Sequence, residues 1–240
     1  MKATNYSMLG ILSGGLMLVG LSAAEKAPAK PAAPTTITYF DGETIASGTK
    51  PDGAVYTFVD SADPAAAEIA QFGYNAIDRI GGLLIAEVKH ELATRETSLA
   101  VSVMHLKGME LPKSVAGQPT ITAIKRTSLM LRATVNAPDG ADLAALDRIH
   151  KQLMADQSPD KMLVQRIEQP GKPVEWRVYR PIAASQACLA CHGDPKTFSP
   201  GVKEALDQQY PEDKAIDYSA HEWRGVIRVS VAPAPNTAKK

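Results

Sequence analysis

The stretch Cys188-Leu189-Ala190-Cys191-His192 decides how the rest of this chain is interpreted. Cys188 and Cys191 are the only two cysteines, they are three positions apart, and His192 follows directly. This CxxCH pattern is typical of c-type haem attachment, in which each thiol bonds to a vinyl group of haem. The imidazole of His192 would then bind the iron. The sequence therefore predicts one covalent haem c, held by Cys188, Cys191 and His192.

The same spacing has three other interpretations. A thioredoxin-like redox CxxC occurs near a βαβ pattern, and no parallel βαβ pattern surrounds Cys188. A structural zinc site usually has four Cys or His ligands, and the chain has no second pair of cysteines. A plain disulfide between Cys188 and Cys191 stays open, because disulfides persist in oxidising compartments.

Composition and charge limit the classes of function. The 240 residues include 26 Lys and Arg against 26 Asp and Glu, and only 5% of them are aromatic. Proteins that bind nucleic acid usually carry a basic excess or aromatic stacking residues, so we expect no nucleic-acid partner. Apolar residues make up 45% of the chain, which is enough for a packed core. The length is that of one ordinary domain with terminal appendages.

The N-terminus has the pattern of an export signal. Lys2 precedes a mostly apolar run over 8–21, and Ser22-Ala23-Ala24 supplies small residues for cleavage. We predict a signal peptide over 1–24, a periplasmic mature protein, and no stable membrane span after cleavage, because a spanning helix needs about 20 apolar residues. An uncleaved signal anchor is the alternative. Residues 25–36, rich in Ala, Pro and Lys, predict a flexible linker, and residues 234–240 predict a polar tail.

Hydrophobic periodicity predicts an α+β fold. Apolar residues at three- and four-residue steps from Ile77 to Leu106 predict a long helix that continues or kinks near Thr94 to Thr97. Shorter helices are predicted over 143–153 and 201–209. Strand-like runs cover 120–131, 162–168, 174–180 and 226–231, whereas 37–40 and 55–59 are strands or irregular wrapping. A Pro-Gly turn over 169–172 joins two of these runs, and together they predict an antiparallel sheet.

Seven short motifs together resemble the PAS-like single-haem cytochrome c family, a haem c redox-sensor domain of the cyanobacterial type. The motifs are AVSVMH (100–105), RTSL (126–129), NAPD (136–139), YRPI (179–182), CLACHG (188–193), YPEDKA (210–215) and WRG (223–225). The resemblance implies a PAS-like antiparallel sheet with long N-terminal helices and one covalent haem, over residues 37–233. It also implies electron transfer or redox sensing, with a redox or signalling protein as the partner.

The resemblance also suggests which residues surround the haem. The family commonly uses a cysteine as the second axial ligand, and this chain has Met104 in the corresponding position, followed by His105. We therefore predict Met104 as the sixth iron ligand, with His105 or a vacant position as alternatives. Ligation by Met and His raises the reduction potential of the iron relative to ligation by an anionic thiolate. Four cationic residues in or near the motifs are candidate partners of the haem propionates, or else part of a solvated strand face. These are Arg126, Arg132, Arg177 and Lys214.

Two other functions stay open. One is a gas or small-ligand sensor with a displaceable sixth haem ligand, and the other is a haem-free CxxC thiol–disulfide protein. An enzyme such as a small haem peroxidase would need a distal acid–base pair, for which the sequence offers no argument. We therefore expect a protein that is not an enzyme.

Overall fold

The structure, a computed structural model, describes residues 53–103 and 111–234. These residues form an α+β fold, as predicted. The strands are β1 (Val55–Val59), β2 (Thr120–Thr127), β3 (Leu163–Glu168), β4 (Glu175–Ala183) and β5 (Trp223–Ala232). The helices are α1 (Ala67–Thr94), α2 (Thr97–Val103), α3 (Gly140–Met154), α4 (Leu189–His192) and α5 (Pro200–Gln209).

The five strands form one antiparallel sheet in the order β1-β3-β4-β5-β2. β3 and β4 are joined at the predicted Pro-Gly turn, where Gly171 has a φ of 72° that glycine adopts without strain. β4 lies at the centre, and its Tyr179 is opposite Leu163 of β3 and Arg228 of β5. The PAS-like description of this sheet stays a prediction.

Different helices cover the two faces of the sheet. Because side chains alternate along a strand, Val178 points to α1, whereas Arg177 and Tyr179 point to α3. α1 approaches β4 so closely that a Cβ on Gly73 would lie 2.5 Å from Cγ2 of Val178. α3 covers the other face through Leu146, which packs against Tyr179. The run 174–180 was predicted to be a strand, and its side chains alternate between the two faces as those of a strand do.

The predicted long helix consists of two helices. α1 ends at Thr94, because Arg95 has extended backbone with φ −128° and ψ 159°, and α2 begins at Thr97. The break lies where the kink was predicted. No helix within residues 53–103 and 111–234 is long and apolar enough to cross a membrane.

β2 is shorter than predicted, because it ends at Thr127 rather than near residue 131. Beyond it, the Ser128 hydroxyl donates a hydrogen bond to the Met130 carbonyl, which turns the chain out of the sheet. Gly225 of β5 lies beside this turn with a φ of 142°, and a Cβ there would be 2.3 Å from the Thr127 carbonyl oxygen. The glycine of the WRG motif therefore permits a close backbone approach.

Some predictions fall outside the described residues. They are the signal peptide, the linker, the segment 37–40, most of the tail, and both candidates for the sixth iron ligand, Met104 and His105.

Candidate functional site

A pocket lies beside the CxxCH segment, between α1, α2 and the ends of β2 and β4. Val88 of α1, Val101 of α2 and Ile182 of β4 give it apolar walls. Cys188 and Cys191 line it as well. Among the described residues that line it there is no Asp or Glu.

The CxxCH segment is a compact turn that begins just after β4. Residues Gln186–Cys188 form a 3-10 turn, and α4 continues it through His192. Both thiols are free. The Sγ of Cys188 lies 3.4 Å from the backbone N of Ser185 and 3.2 Å from its hydroxyl, while Cys191 is buried and burial raises the pKa of its thiol. The turn therefore brings both sulfurs and the imidazole to one pocket.

His192 is held in a single orientation by its Nδ1 atom, which lies 2.7 Å from the carbonyl oxygen of Ala215. Because a carbonyl only accepts, Nδ1 carries the proton and Nε2 keeps its lone pair. Burial lowers the pKa of His192 well below its usual range, and the charges of Arg132 and Arg224 lower it further. A neutral imidazole with an unprotonated Nε2 is the form that binds a metal.

The loop that supplies the Ala215 carbonyl is fixed by the carboxylate of Asp213. Its Oδ1 accepts a hydrogen bond of 2.8 Å from the backbone N of Ala215. Its Oδ2 pairs with Arg132, at 2.9 Å from Nε and 2.8 Å from Nη2. Arg132 in turn donates to the Cys191 carbonyl, and its Nη1 lies 3.5 Å from Nε2 of His192. Asp213 thus positions the loop and neutralises one arginine beside the imidazole.

Three arginines line the pocket: Arg126, Arg132 and Arg224. Arg224 donates from Nη1 to the Ser128 hydroxyl at 2.9 Å and to the Met130 carbonyl at 3.2 Å. Burial lowers the pKa of Arg126 and of Arg224, and nearby arginine charges add to the effect. The pocket therefore has a positive electrostatic potential.

The structure separates the four candidate propionate partners. Arg126 and Arg132 line the pocket with the CxxCH residues. Arg177 lies elsewhere, because its position in β4 directs it to α3, where its guanidinium binds Asp139 and Asp142. Lys214 is exposed, and it contributes to the loop through its backbone N, which donates 2.7 Å to the Leu131 carbonyl. Neither Arg177 nor Lys214 lines the pocket.

Two side chains of the site were not singled out from the sequence. Arg224 is the middle residue of the WRG motif, and Asp213 belongs to YPEDKA, so both were inside recognised motifs. Their contacts join positions 81 and 96 residues apart, which no local pattern indicates. In the described ranges, no group of three or more His, Cys, Asp and Glu side chains could hold a metal ion.

Comparison with known proteins gives a family match. The family model described as Tll0287-like matches residues 71–232, a range that includes all seven motifs. A solved structure, described as a crystal structure of the cyanobacterial haem protein Tll0287, is 18% identical to this chain. That match covers 65% of this chain and 95% of the other, with a TM-score of 0.35. A search of curated proteins gave no match.

Proposed function

Because the chain belongs to the Tll0287-like family, we propose that it is a haem protein with one haem attached through Cys188 and Cys191. The protein that gives the family its name is described as a haem protein, which supports haem binding in general. The covalent, c-type attachment rests on the CxxCH segment of this chain. His192 is the iron ligand on the side of that segment.

The residues present fit such a group. The carrying observation is the hydrogen bond from Nδ1 of His192 to the Ala215 carbonyl, which leaves Nε2 unprotonated in a pocket that both cysteines line. Ligating histidines usually donate their other ring N–H to a carbonyl or carboxylate, and this bond fixes the ring. Apolar residues such as Val88 and Val101 suit a flat macrocycle, and the arginines suit its negative carboxylates.

Met104 is the second axial ligand under this proposal. Val101, three residues earlier in the sequence, lines the pocket and belongs to the same apolar cluster as Cys191. The last residue of α2, Val103, directly precedes Met104. His105 or a vacant position are the alternatives.

The biological role under this proposal is electron transfer or redox sensing outside the cytoplasm. Bound haem supplies an iron that changes oxidation state by one electron. His192 would bind that iron, and the positive charges of the pocket arginines would favour its reduced form, which carries one positive charge less. The predicted signal over 1–24 agrees with a periplasmic location, because c-type haem is attached outside the bacterial cytoplasm. The partner is a redox or signalling protein.

The test is production in an export-competent host with haem-attachment machinery, followed by denaturing electrophoresis and a haem stain. The wild-type band should stain, and the Cys188→Ala/Cys191→Ala variant should not. A wild-type band without stain would refute covalent attachment and favour the thiol–disulfide alternative. Addition of carbon monoxide to the reduced protein then tests the axial ligand. Ready formation of a carbon monoxide complex would favour the small-ligand sensor.

A further inference from the structure

Two of the three arginines that line the pocket have no carboxylate in contact among the residues that the structure describes. Asp213 neutralises Arg132. Arg126 and Arg224 form no ion pair with any residue in 53–103 or 111–234. The pocket therefore carries two positive charges that no described carboxylate contacts directly.

Arg126 is the clearer of the two cases. It lies in β2, opposite Ile227 of β5, and its guanidinium makes no hydrogen bond within the described part of the chain. Burial lowers its pKa, and the nearby charge of Arg224 lowers it further. Arg126 is partly buried, and a charge that is partly removed from water without a partner destabilises a fold.

Arg224 is held in place by neutral groups only. The Ser128 hydroxyl and the Met130 carbonyl accept from its Nη1, and its guanidinium lies 5.0 Å from the centre of the Tyr218 ring. These contacts orient the side chain without an ion pair in the described ranges, and the nearby carboxylate of Asp213 is in contact with Arg132 instead. Arg224 is thus preorganised for an anion.

We propose that Arg126 and Arg224 bind the two carboxylates of the ligand of this pocket, which are the two propionates of haem. The inference rests on the proposed function and adds to it the residues that recognise the anionic groups. Two unbalanced cations match two carboxylates, and the planar guanidinium fits a carboxylate with paired hydrogen bonds. Arg132, already paired with Asp213, positions the loop that holds His192.

The test compares ferric haem with its dimethyl ester, in which both carboxylates are neutral. The full chain, produced without haem-attachment machinery, is titrated with each compound and followed by visible absorbance. The wild-type protein should bind haem more tightly than the ester. Arg126→Leu replaces the charged guanidinium with an uncharged, apolar side chain. It should weaken haem binding about 10- to 100-fold, the effect of one hydrogen bond to a charged group, and leave ester binding nearly unchanged.

The matched control is Arg79→Leu, which removes an exposed arginine of α1 and should change neither affinity. Equal haem binding by Arg126→Leu and the wild type would overturn the arginine assignment and leave haem binding intact. A wild-type protein that binds neither compound would overturn this proposal, whereas the haem stain of the matured protein decides the proposed function separately. The double variant Arg126→Leu/Arg224→Leu should no longer distinguish haem from its ester.

Unfolding by urea gives a second readout. The change in the unfolding midpoint caused by Arg126→Leu should have opposite signs with and without bound haem. Without haem, Arg126→Leu should raise the unfolding midpoint, because a partly buried charge without an ion-pair partner is removed. With haem bound, the same change should lower the midpoint relative to the wild type, because a carboxylate loses its partner. A lower midpoint in both forms would assign Arg126 to the fold itself and overturn the proposal.

Discussion

Two regions of this molecule concentrate charged side chains, and they differ in how far those charges are balanced. One region, the charge cluster between α3 and the sheet, contains three carboxylates and three cations. Its members are Asp139, Asp142, Glu175, Lys125, Arg177 and Arg228. Among the described residues, the pocket beside the CxxCH segment has three arginines and one neighbouring carboxylate, that of Asp213.

The charge cluster is closed around Asp142, which is 0% exposed. Its carboxylate lies 3.0 Å from Nζ of Lys125, 3.0 Å from Nη1 of Arg177 and 3.2 Å from Nε of Arg228. The Tyr179 hydroxyl also donates to it at 3.3 Å. Each charge of the cluster therefore has a partner of opposite charge within the protein. These ion pairs connect α3 to the sheet.

The comparison distinguishes charges that stabilise the fold from charges that, under our proposal, bind a ligand. Both regions use arginines on neighbouring strands, so residue type alone does not separate them. What separates them is the presence of carboxylates within reach. Removing an acid from each region tests this distinction directly.

The largest effect is expected for Asp142→Asn. The substitution keeps the shape of the side chain but leaves Arg177 and Arg228 without their buried carboxylate. Breaking a buried ion pair by removing one partner costs about 3–5 kcal/mol, so the free energy of unfolding in urea should fall by that amount.

The matched control is Asp147→Asn, on the same helix. Asp147 forms a partly exposed pair with Lys151 at 2.7 Å, and such pairs contribute about 0–1 kcal/mol. Equal losses for both variants would contradict the view that the charge cluster holds α3 to the sheet.

A smaller effect is expected for Asp213→Asn in the pocket. Here one arginine loses its carboxylate, instead of three cations, so the loss of unfolding free energy should be about 2 kcal/mol. The side-chain oxygen of Asn can still accept from the backbone N of Ala215, and His192 should keep its orientation. In the haem-loaded protein the uncompensated charge of Arg132 should raise the reduction potential, because positive charge favours reduced iron.

Glu212→Gln removes the same charge from the neighbouring, exposed position. It should leave both the stability and the potential close to those of the wild type, because exposed charges are screened. An equal rise in reduction potential for the two variants would show that the potential depends on the net charge of the protein. The contact between Asp213 and Arg132 would then have no effect of its own on the potential.

The sequence predicted the fold better than it predicted the surroundings of the site. Alternation in β4 is a local pattern, and it placed Val178 and Arg177 on opposite faces correctly. It could not tell which face α3 would cover, because that depends on how distant elements pack. Arg177 was therefore a candidate for the pocket, although the acids at the start of α3 bind it.

The same limit explains which site residues were found. The CxxCH spacing places Cys188, Cys191 and His192 together within one short turn, so the sequence alone assigned them. Arg224 reaches the pocket through a contact with Ser128, 96 residues away, and that proximity is set by the pairing of β2 with β5. Local spacing carries no information of this kind.

The smallest effect concerns Asp139, at the edge of the charge cluster. Burial raises its pKa, but hydrogen bonds from Arg177 and the charge of that guanidinium outweigh burial and lower the pKa from 3.8 to about 2. A carboxyl whose pKa is depressed on folding stabilises the fold above its unfolded pKa, and the contribution is lost as the pH falls through the folded value. The stabilisation should therefore disappear between about pH 4 and about pH 2. Because the side chain is 46% exposed, screening reduces it to about 1 kcal/mol. Asp139→Asn keeps an acceptor for the backbone N of Asp142 at the start of α3, so it should cost this amount at pH 6 and only a small part of it at pH 2. A deficit that persists at pH 2 would mean that Asp139 acts as a helix cap, and that its charge contributes little to the cluster.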